Sequence, residues 1–253
     1  MFWCLGMFSS ASTWTFNVVQ RIAVAAAPAD PPRGILLDFA DRLPAMPGQT
    51  LVVKTHGSEI ADDLGQQAAA IVITVRDPRD AIVSLMQHNK LPFEIALRMT
   101  EVSAWTCGRF MAHPRALVLR FEDRFFDDRR TVDRIAVRLS ARLPAGESGR
   151  IFDALRRQEV DAFIAGLEMR PTTRRKVHAV TGQRDLYDPA TGWHAHHAGR
   201  TGESGRWGRY LPEAQVGVVE RRLRVWMERV GYDAVSSRGA SYRLGIGRVG
   251  VLA

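Results

Sequence analysis

The stretch IVITVRDPRDAIVSLM, residues 71–86, decides the fold of this chain. It opens with a run of apolar and mostly β-branched residues at 71–75, which is typical of a strand buried on both faces of a parallel sheet. The run stops at Arg76. Asp77 is then a good helix N-cap, and Pro78 suits the first helical position because a backbone N–H there would lack a helical partner. The stretch therefore predicts a strand, a tight turn and a helix.

This turn has the features of an anion-binding site. Backbone N–H groups and the positive end of a helix dipole face the carboxyl edge of the sheet, where ligands bind in open α/β folds. Arg76 adds a planar fork that fits phosphate or sulfate oxygens. Ser84 lies four residues after Asp80 on one helix face, so its hydroxyl follows the arginine toward the same ligand. The competing interpretation is a capping network around an ordinary turn, made by Arg76, Asp77, Arg79 and Asp80.

A second strand, loop and helix are predicted at the start of the chain. Residues 2–7 are apolar, residues 9–13 are small or hydroxylic, and residues 14–27 have apolar side chains at helical spacing. This is again a phosphate-binding layout, although a plain polar turn is the alternative interpretation. It is not a Walker motif, because the Gly-Lys-Ser/Thr ending is absent.

Another predicted strand, residues 51–55, ends in Lys54-Thr55-His56. A single histidine is more often structural than catalytic. The position of His56 between the two predicted phosphate-binding segments favours a role as a general base.

These segments resemble those of sulfotransferases that use 3′-phosphoadenosine 5′-phosphosulfate (PAPS). The spacing from Arg76 to Ser84 is similar to the family segment that holds the donor's 3′-phosphate, with the arginine and the serine as its ligands. Lys54-Thr55-His56 is similar to a Lys-Thr-His segment, which implies that His56 is the catalytic base and that Lys54 contacts the transferring sulfonate. The resemblance implies a nucleotide-kinase-like (P-loop-type) fold, with PAPS as co-substrate and adenosine 3′,5′-bisphosphate (PAP) as product.

Three further segments resemble the family's donor site. Residues 9–14 are similar to its Lys-Ser-Gly-Thr-Thr-Trp loop, which wraps the 5′-phosphosulfate and packs its tryptophan against the adenine. Residue 121 matches an aromatic position near the adenosine, and residues 199–207 are similar to a segment that closes over the 3′-phosphate. The donor-binding residues that the resemblance implies are Ser9, Ser10, Ala11, Ser12, Thr13, Trp14, Arg76, Ser84, Phe121, Arg200, Thr201 and Gly202.

Four departures from the family's pattern matter for the donor site. Ser9 stands in place of the loop lysine that is credited with stabilising charge on the bridging oxygen, and Ala11 stands in place of the loop glycine. Thr201 replaces a lysine, and Phe121 replaces a tyrosine. Without the loop lysine, Lys54 together with the loop amides and hydroxyls would have to stabilise the leaving phosphate.

The order of elements predicts one α/β domain over residues 1–253, with 232–253 as a candidate flexible tail. Buried strands that alternate with helices favour a parallel β-sheet flanked by helices on both faces.

A further strand is predicted at 115–121, and residues 34–46 are left open between a helix and irregular structure. Residues 170–205 are too polar for a core and are predicted to be a loop. Further helices are predicted at 58–67, 91–113, 129–139 and 212–230, with one or two more in 151–167.

Three histidines in that loop, His194, His196 and His197, do not predict a metal site. Adjacent histidines without a matching carboxylate or cysteine pair are weak evidence for a metal ligand set. The interpretation is therefore that no metal is needed, and that one histidine meets an acidic acceptor.

The composition fits a globular protein with an anionic partner. Apolar residues make up 46% of the chain, charged residues 25%, and the formal net charge is +8. Cys4 and Cys107 offer no disulfide framework or zinc spacing, so reduced core thiols are expected. The apolar run at residues 1–8 is too short to span a bilayer and lacks the features of a secretory signal, so a cytoplasmic location is expected. Peripheral membrane contact through basic residues and the oligomeric state are left open.

Two other functions are left open beside sulfonate transfer. One is a nucleotide-binding phosphotransferase on a related fold, which the missing Gly-Lys-Ser/Thr ending disfavours. The other is a non-catalytic protein that binds an anionic glycan or nucleic acid through its arginines. For the favoured reaction no nucleic acid partner is expected. Its acceptor is a small molecule or glycan with a hydroxyl or amine, and the aromatic and histidine content of the loops suits a carbohydrate or glycolipid.

Overall fold

A parallel sheet forms the centre of the fold in this computed structural model, which describes residues 1–177, 181–182, 184–198 and 202–232. The strand order is β2-β3-β1-β4-β5, and every neighbouring pair is parallel. The prediction of a parallel α/β fold is thereby confirmed. The strands are β1 Phe2–Gly6, β2 Arg33–Leu36, β3 Leu51–Thr55, β4 Ala70–Val75 and β5 Ala116–Arg120.

Both faces of this sheet are buried, as the apolar runs predict. All six residues of β4 are buried, and successive side chains enter different cores. Ile71 and Ile73 belong to one apolar cluster, while Val72 belongs to the other. Helices supply many other members of each cluster, including Trp226 in the first and Phe16 in the second. Helices therefore cover the sheet on both sides.

The helices start and end close to the predicted positions. Asp77 caps the helix after β4 by accepting a hydrogen bond from the Arg79 N–H at 2.9 Å, with Pro78 at the start of the helix. Gly231 ends the last helix with φ 81°, as a C-terminal glycine does. The helices are α1 Ser12–Ala26, α2 Ala61–Gln67, α3 Pro78–His88, α4 Phe93–Phe110, α5 Arg130–Arg138, α6 Glu147–Asp153, α7 Arg157–Ala165, α8 Trp207–Tyr210 and α9 Glu213–Val230.

Three local predictions need correction. Helix α2 begins at Ala61 and not at Ser58, because the Ser58 hydroxyl accepts a hydrogen bond from the Ile60 N–H at 3.2 Å and holds a turn before the helix. The segment 34–46, left open above, begins within the edge strand β2. The predicted loop 170–205 contains the antiparallel hairpin β6 Arg174–Val177 and β7 Arg184–Tyr187. Its strands are exposed or half-buried, so no apolar alternation marks them in the sequence.

Cys4 and Cys107 are both buried and unpaired with each other, in agreement with core thiols. Among the described helices, none combines the length and apolar character needed to cross a membrane. The predicted tail beyond residue 232 lies outside the described residues.

Candidate active site

A cavity of about 590 Å³ opens at the carboxyl edge of the parallel sheet. The segments that follow β1, β3, β4 and β5 all contribute to its wall, and the hairpin β6–β7 with the segment after it lines another side. This edge is where ligands bind in open α/β sheets. The cavity is lined by the predicted site residues Ser9, Ala11, Ser12, Thr13, Trp14, Lys54, His56, Arg76, Ser84, Phe121 and Gly202.

The segment between β1 and α1, residues 7–11, is the β1–α1 loop. It turns so sharply that a Cβ on Gly6 would lie 2.4 Å from the Ser12 Cβ and 2.5 Å from the Thr74 hydroxyl, so only glycine fits there. Ser9 and Ala11 have φ values of 59° and 62°, in the left-handed region. The loop therefore requires at Ala11 the backbone conformation that glycine adopts most readily.

The β1–α1 loop leaves hydrogen-bond donors available to a ligand. Helix α1 has no side-chain cap and no acidic residue in its first turn, so its N-terminal amides and positive dipole end are not neutralised by the protein itself. Ser10 does not contribute its side chain to the cavity. Its hydroxyl donates to the Met7 carbonyl at 2.7 Å and lies 2.7 Å from the Thr74 hydroxyl, so Ser10 ties the loop to β4.

Lys54 and His56 lie together at the end of β3. The His56 Nδ1 is 2.8 Å from the Gly6 carbonyl oxygen, and the His56 Nε2 is 3.0 Å from the Lys54 Nζ. A carbonyl only accepts hydrogen bonds, so Nδ1 carries the proton and Nε2 holds the lone pair. The ring of Phe8 stacks on His56, with ring centroids 4.2 Å apart and planes inclined by 18°. The imidazole is therefore held in one tautomer and one orientation.

Burial and charge set the protonation states of this pair. Burial first, and then the positive charge of Lys54, lower the pKa of His56 well below its ordinary 6.5. Burial lowers the pKa of Lys54 to about 8. At pH 7 the histidine is therefore neutral and the lysine is still largely protonated, which is the combination that a base and a cationic stabiliser need.

The turn between β4 and α3, residues 76–77, is the β4–α3 turn. The capping interpretation is correct for part of it. Arg79 pairs with both oxygens of Asp77, at 3.0 and 2.7 Å, and with Glu220 at 2.7 Å. The Asp77 N–H donates to Glu122 at 2.9 Å. Arg79 and Asp77 are therefore structural, and neither lines the cavity.

Arg76 is held differently from Arg79, because it lines the cavity. Its Nη1 donates to the Ser9 carbonyl at 3.0 Å, its Nη2 donates to the Glu203 carbonyl at 2.9 Å, and its guanidinium lies 4.0 Å from the centre of the Phe121 ring. The buried Nε has no hydrogen-bond partner among the described residues. Burial lowers the pKa of Arg76, with the nearby Asp80 opposing that shift.

The segment 202–207 is fastened to α3 by Asp80. One carboxylate oxygen accepts a hydrogen bond from the Gly205 N–H at 2.6 Å, and the other accepts one from the Trp207 N–H at 2.9 Å. Gly202 lines the cavity with φ 65°, beside the ring of Phe126. Arg200 and Thr201, the other residues predicted in this segment, lie outside the described residues.

Aromatic residues form another part of the wall. The Trp14 Nε1 donates to the Leu155 carbonyl at 3.1 Å, which fixes the indole beside the cavity. Phe121 and Phe126 lie 4.9 Å apart between ring centroids. Apolar rings next to phosphate-binding groups give a nucleoside a surface on which to stack.

Sequence reasoning missed several residues of the cavity wall. Asp185 of β7 lies 2.6 Å from the Nδ1 atoms of both His194 and His196, which supplies the carboxylate that the histidine cluster lacks in the sequence pattern. Phe8 and Glu203 were missed as well. Asp185 lies in an unrecognised hairpin, and Glu203 uses its backbone carbonyl, which no side-chain pattern reveals.

Comparison with solved structures identifies the fold. Two crystal structures of retinol dehydratase, one with androsterone and the inactive cofactor PAP and one with retinol and PAP, match at 19% identity with TM-scores of 0.60 and 0.57. Each covers 90% of this chain, and the matches span 80% and 81% of those chains. Mouse sulfotransferase SULT7A1 complexed with PAP matches at 14% identity and TM-score 0.59, over 91% of this chain and 84% of that one.

No protein-family model matches the chain, and no curated protein matches it in sequence. The chain thus has the fold of PAPS-dependent sulfotransferases, a parallel sheet covered by helices on both faces. At these identities the similarity establishes the fold, and the activity has to be argued from the site.

Proposed function

We propose that this protein transfers a sulfonate group from PAPS to a hydroxyl or amine of a small-molecule acceptor. The observation that carries the proposal is that His56 and Arg76, at the ends of two different strands, line one cavity together with the β1–α1 loop. A base, a phosphate ligand and a set of backbone donors then surround one ligand-sized space. The shared fold with proteins crystallised with PAP supports the same interpretation.

The cavity residues fit a doubly phosphorylated adenosine. The unpaired Nε of Arg76 is a buried donor, and a buried donor without a partner costs about 1–3 kcal/mol, which a bound anion would remove. Ser84 is buried on the cavity wall, so its hydroxyl is a second candidate ligand for the 3′-phosphate. The amides at the start of α1 would bind the 5′-phosphosulfate, and Trp14 with Phe121 would hold the adenine.

In this scheme the donor supplies an activated sulfonate. Lys54 moves its hydrogen bond from the His56 Nε2 to an oxygen of the transferring group, and His56 then takes the acceptor's proton on Nε2. Its neutral form is available at pH 7 because its pKa is held low, and the bond from Nδ1 to the Gly6 carbonyl keeps the lone pair on Nε2. A low pKa makes His56 a weaker base. This loss is offset because the imidazole is already neutral at pH 7 and is held in a fixed position.

Lys54 would stabilise the charge that develops on the leaving phosphate. Its ammonium has three donors and makes one hydrogen bond to His56, so it has donors left for an oxygen of the transferring group. Ser9 offers no cation at the loop position where the family has lysine. The proposal therefore assigns the larger part of charge stabilisation to Lys54 and to the α1 amides.

The acceptor is proposed to be a small molecule. Retinol and androsterone are bound in the retinol dehydratase structures, and the apolar residues Leu36, Leu85 and Met99 line the present cavity. The preference for a carbohydrate or glycolipid stays a prediction from the loop composition.

The test compares donor binding and turnover in one variant. We expect His56→Ala to lower turnover with labelled PAPS and a screened acceptor by about two to four orders of magnitude, because a positioned general base contributes that much. PAP affinity, measured by calorimetry, should stay within about threefold of the wild type because His56 is not proposed to touch either phosphate. His113→Ala is the matched control, since His113 precedes β5 at the opposite edge of the sheet. Unchanged turnover with weakened PAP binding would refute the role of His56 as the base.

One observation favours a second function, a nucleotide-binding protein without turnover. Ser9 removes the loop cation, and the remaining site would still bind PAP through Arg76 and Ser84. Tight PAP binding with no labelled product across a broad acceptor screen would support this second function. A thermal shift with ATP and magnesium, and none with PAP, would instead indicate a phosphotransferase.

A further inference from the structure

Strand β7 and the residues that follow it, 184–198, line one side of the cavity and bring three potential metal ligands together. Asp185 projects one carboxylate oxygen to within 2.6 Å of the His194 Nδ1 and to within 2.6 Å of the His196 Nδ1. One ligand atom from each residue lies within 4.8 Å of the others. All three residues line the cavity, and their side chains are only 17–23% exposed.

We propose that Asp185, His194 and His196 form a binding site for a zinc-class divalent cation on the wall of the cavity. Two imidazole nitrogens and one carboxylate oxygen are a donor set that zinc accepts. Ligand atoms about 2.0–2.2 Å from a tetrahedral zinc lie roughly 3.3 Å apart. The two nitrogen–oxygen distances of 2.6 Å would lengthen by about 0.7 Å around the ion, and all three ligand atoms already lie within 4.8 Å of one another.

The backbone around the site already fixes the positions of these ligands. Tyr187 pairs with His194 as an antiparallel bridge, and its ring stacks on the His194 ring with centroids 5.2 Å apart. Asp188 holds the intervening turn by accepting hydrogen bonds from the N–H groups of residues 190 and 191, at 2.8 and 3.0 Å, and from the Thr172 hydroxyl at 2.8 Å. Trp193 is buried in the core directly before His194. Such support from neighbouring groups is what holds metal ligands in a binding geometry.

The proposed site differs from the donor-binding residues and stands independently of sulfonate transfer. Asp185 lies in strand β7 of the hairpin, and His194 and His196 follow that strand, while Arg76 and the β1–α1 loop follow strands of the main sheet. Three protein ligands leave one position of a tetrahedral zinc for water or for an oxygen of a second ligand. A metal here would therefore contact whatever occupies this side of the cavity.

Zinc binding is measured on the full-length protein after treatment with a chelator, without nucleotide. We expect one zinc per chain by equilibrium dialysis with metal analysis, and a rise in melting temperature on adding zinc, because an ion that binds the folded state stabilises it. Cobalt in place of zinc should give the visible absorption of a tetrahedral ion.

The variants His196→Ala and Asp185→Asn should weaken zinc binding by at least about tenfold to a hundredfold, with His113→Ala unchanged. Asp185→Asn keeps the shape and part of the hydrogen bonding of the side chain, and its circular dichroism shows whether the hairpin still folds. Less than one zinc per chain in the wild type would overturn the site. Equal zinc affinity in wild type, Asp185→Asn and His113→Ala would overturn it too.

Discussion

The two turns that open into the cavity follow adjacent strands and are built on opposite principles. In the β1–α1 loop, Ser9 and Ala11 have positive φ, and α1 lacks a side-chain cap. In the β4–α3 turn no residue has positive φ, and Asp77 caps α3 while pairing with Arg79. The first turn keeps its backbone donors for a ligand at the cost of local strain. The second turn uses its charged side chains to stay rigid and leaves Arg76 to face the cavity.

Arg76 joins the two turns, because its Nη1 donates to the carbonyl of Ser9 at 3.0 Å. A ligand that binds this guanidinium is therefore positioned relative to the β1–α1 loop as well. Binding groups and supporting groups are therefore separate residues even when they are neighbours in sequence, as Arg76 and Asp77 are. Substitutions in the two turns test whether this separation holds.

The largest effect is expected from removing the support of the β4–α3 turn. Asp77→Ala leaves the buried Arg79 with Glu220 alone and also removes a helix cap, so we expect the free energy of unfolding to fall by about 3 kcal/mol in urea denaturation. Asp128→Ala is the matched control. Asp128 pairs with Arg130 in the same i, i+2 arrangement, but those side chains are 39% and 85% exposed, against 3% and 5% for Asp77 and Arg79. Equal destabilisation by both variants would show that burial of the turn is not what matters.

The next largest effect is expected from Arg76, the residue of the β4–α3 turn that faces the cavity. Arg76→Ala should weaken PAP binding by about 1.5–3 kcal/mol in calorimetry, since hydrogen bonds to charged groups are worth that much. Arg76→Lys keeps the charge without the planar fork and should recover only part of the affinity. Arg120→Ala is the control, because Arg120 ends the neighbouring strand β5 and does not line the cavity. If Arg76→Ala binds PAP as tightly as Arg120→Ala does, the assignment of Arg76 to the phosphate fails.

The contrast between the β1–α1 loop and the β4–α3 turn also explains which features could be predicted from the sequence. The structure of the β4–α3 turn can be predicted from local rules. The β-branched run favours a strand, the N-cap and the proline favour the start of a helix, and the burial of these residues agrees with both. Of the predicted donor-binding residues that the structure describes, Ser10 is the one whose side chain does not line the cavity, since its hydroxyl bonds to Met7 and Thr74. A pattern of residue types along the chain does not show which side of a loop a short side chain faces.

The β6–β7 hairpin and the histidines that follow it could not be predicted from such local rules. The contact of Asp185 with His194 and His196 depends on two short strands, one exposed and one mostly half-buried, that no apolar alternation marks. The positive φ of Ala11 could not be read from the sequence either, because alanine carries no preference for it. Such features are imposed by tertiary contacts, in this case by the close approach of Gly6 to Ser12 and Thr74.

The expected pH dependence comes from His56 and Lys54 at the end of β3 and not from either turn. In the proposed reaction His56 accepts a proton in its neutral form and Lys54 acts in its protonated form. The pKa of His56 lies well below 6.5, so kcat/KM should not yet fall at pH 6. Lys54 must be protonated and has a pKa of about 8, so kcat/KM should fall above that pH, by up to about tenfold per pH unit. In Lys54→Arg the overall rate is expected to be lower, but the alkaline fall should disappear, because arginine stays charged. A fall near pH 8 that persists in Lys54→Arg would assign it to another group.

The smallest effect tests the strain in the β1–α1 loop directly. Ala11→Gly should raise the free energy of unfolding by up to about 1 kcal/mol, because glycine adopts φ 62° without the Cβ clash, and this gain exceeds the added chain entropy of the unfolded state. Ala25→Gly, in the last turn of α1, is the control and should have the opposite sign, a loss of up to about 0.5 kcal/mol. Urea denaturation of the two variants compares the same chemical change in two backbone conformations. If both substitutions destabilise the protein equally, the loop stores no strain at Ala11, and the two turns differ only in their side chains.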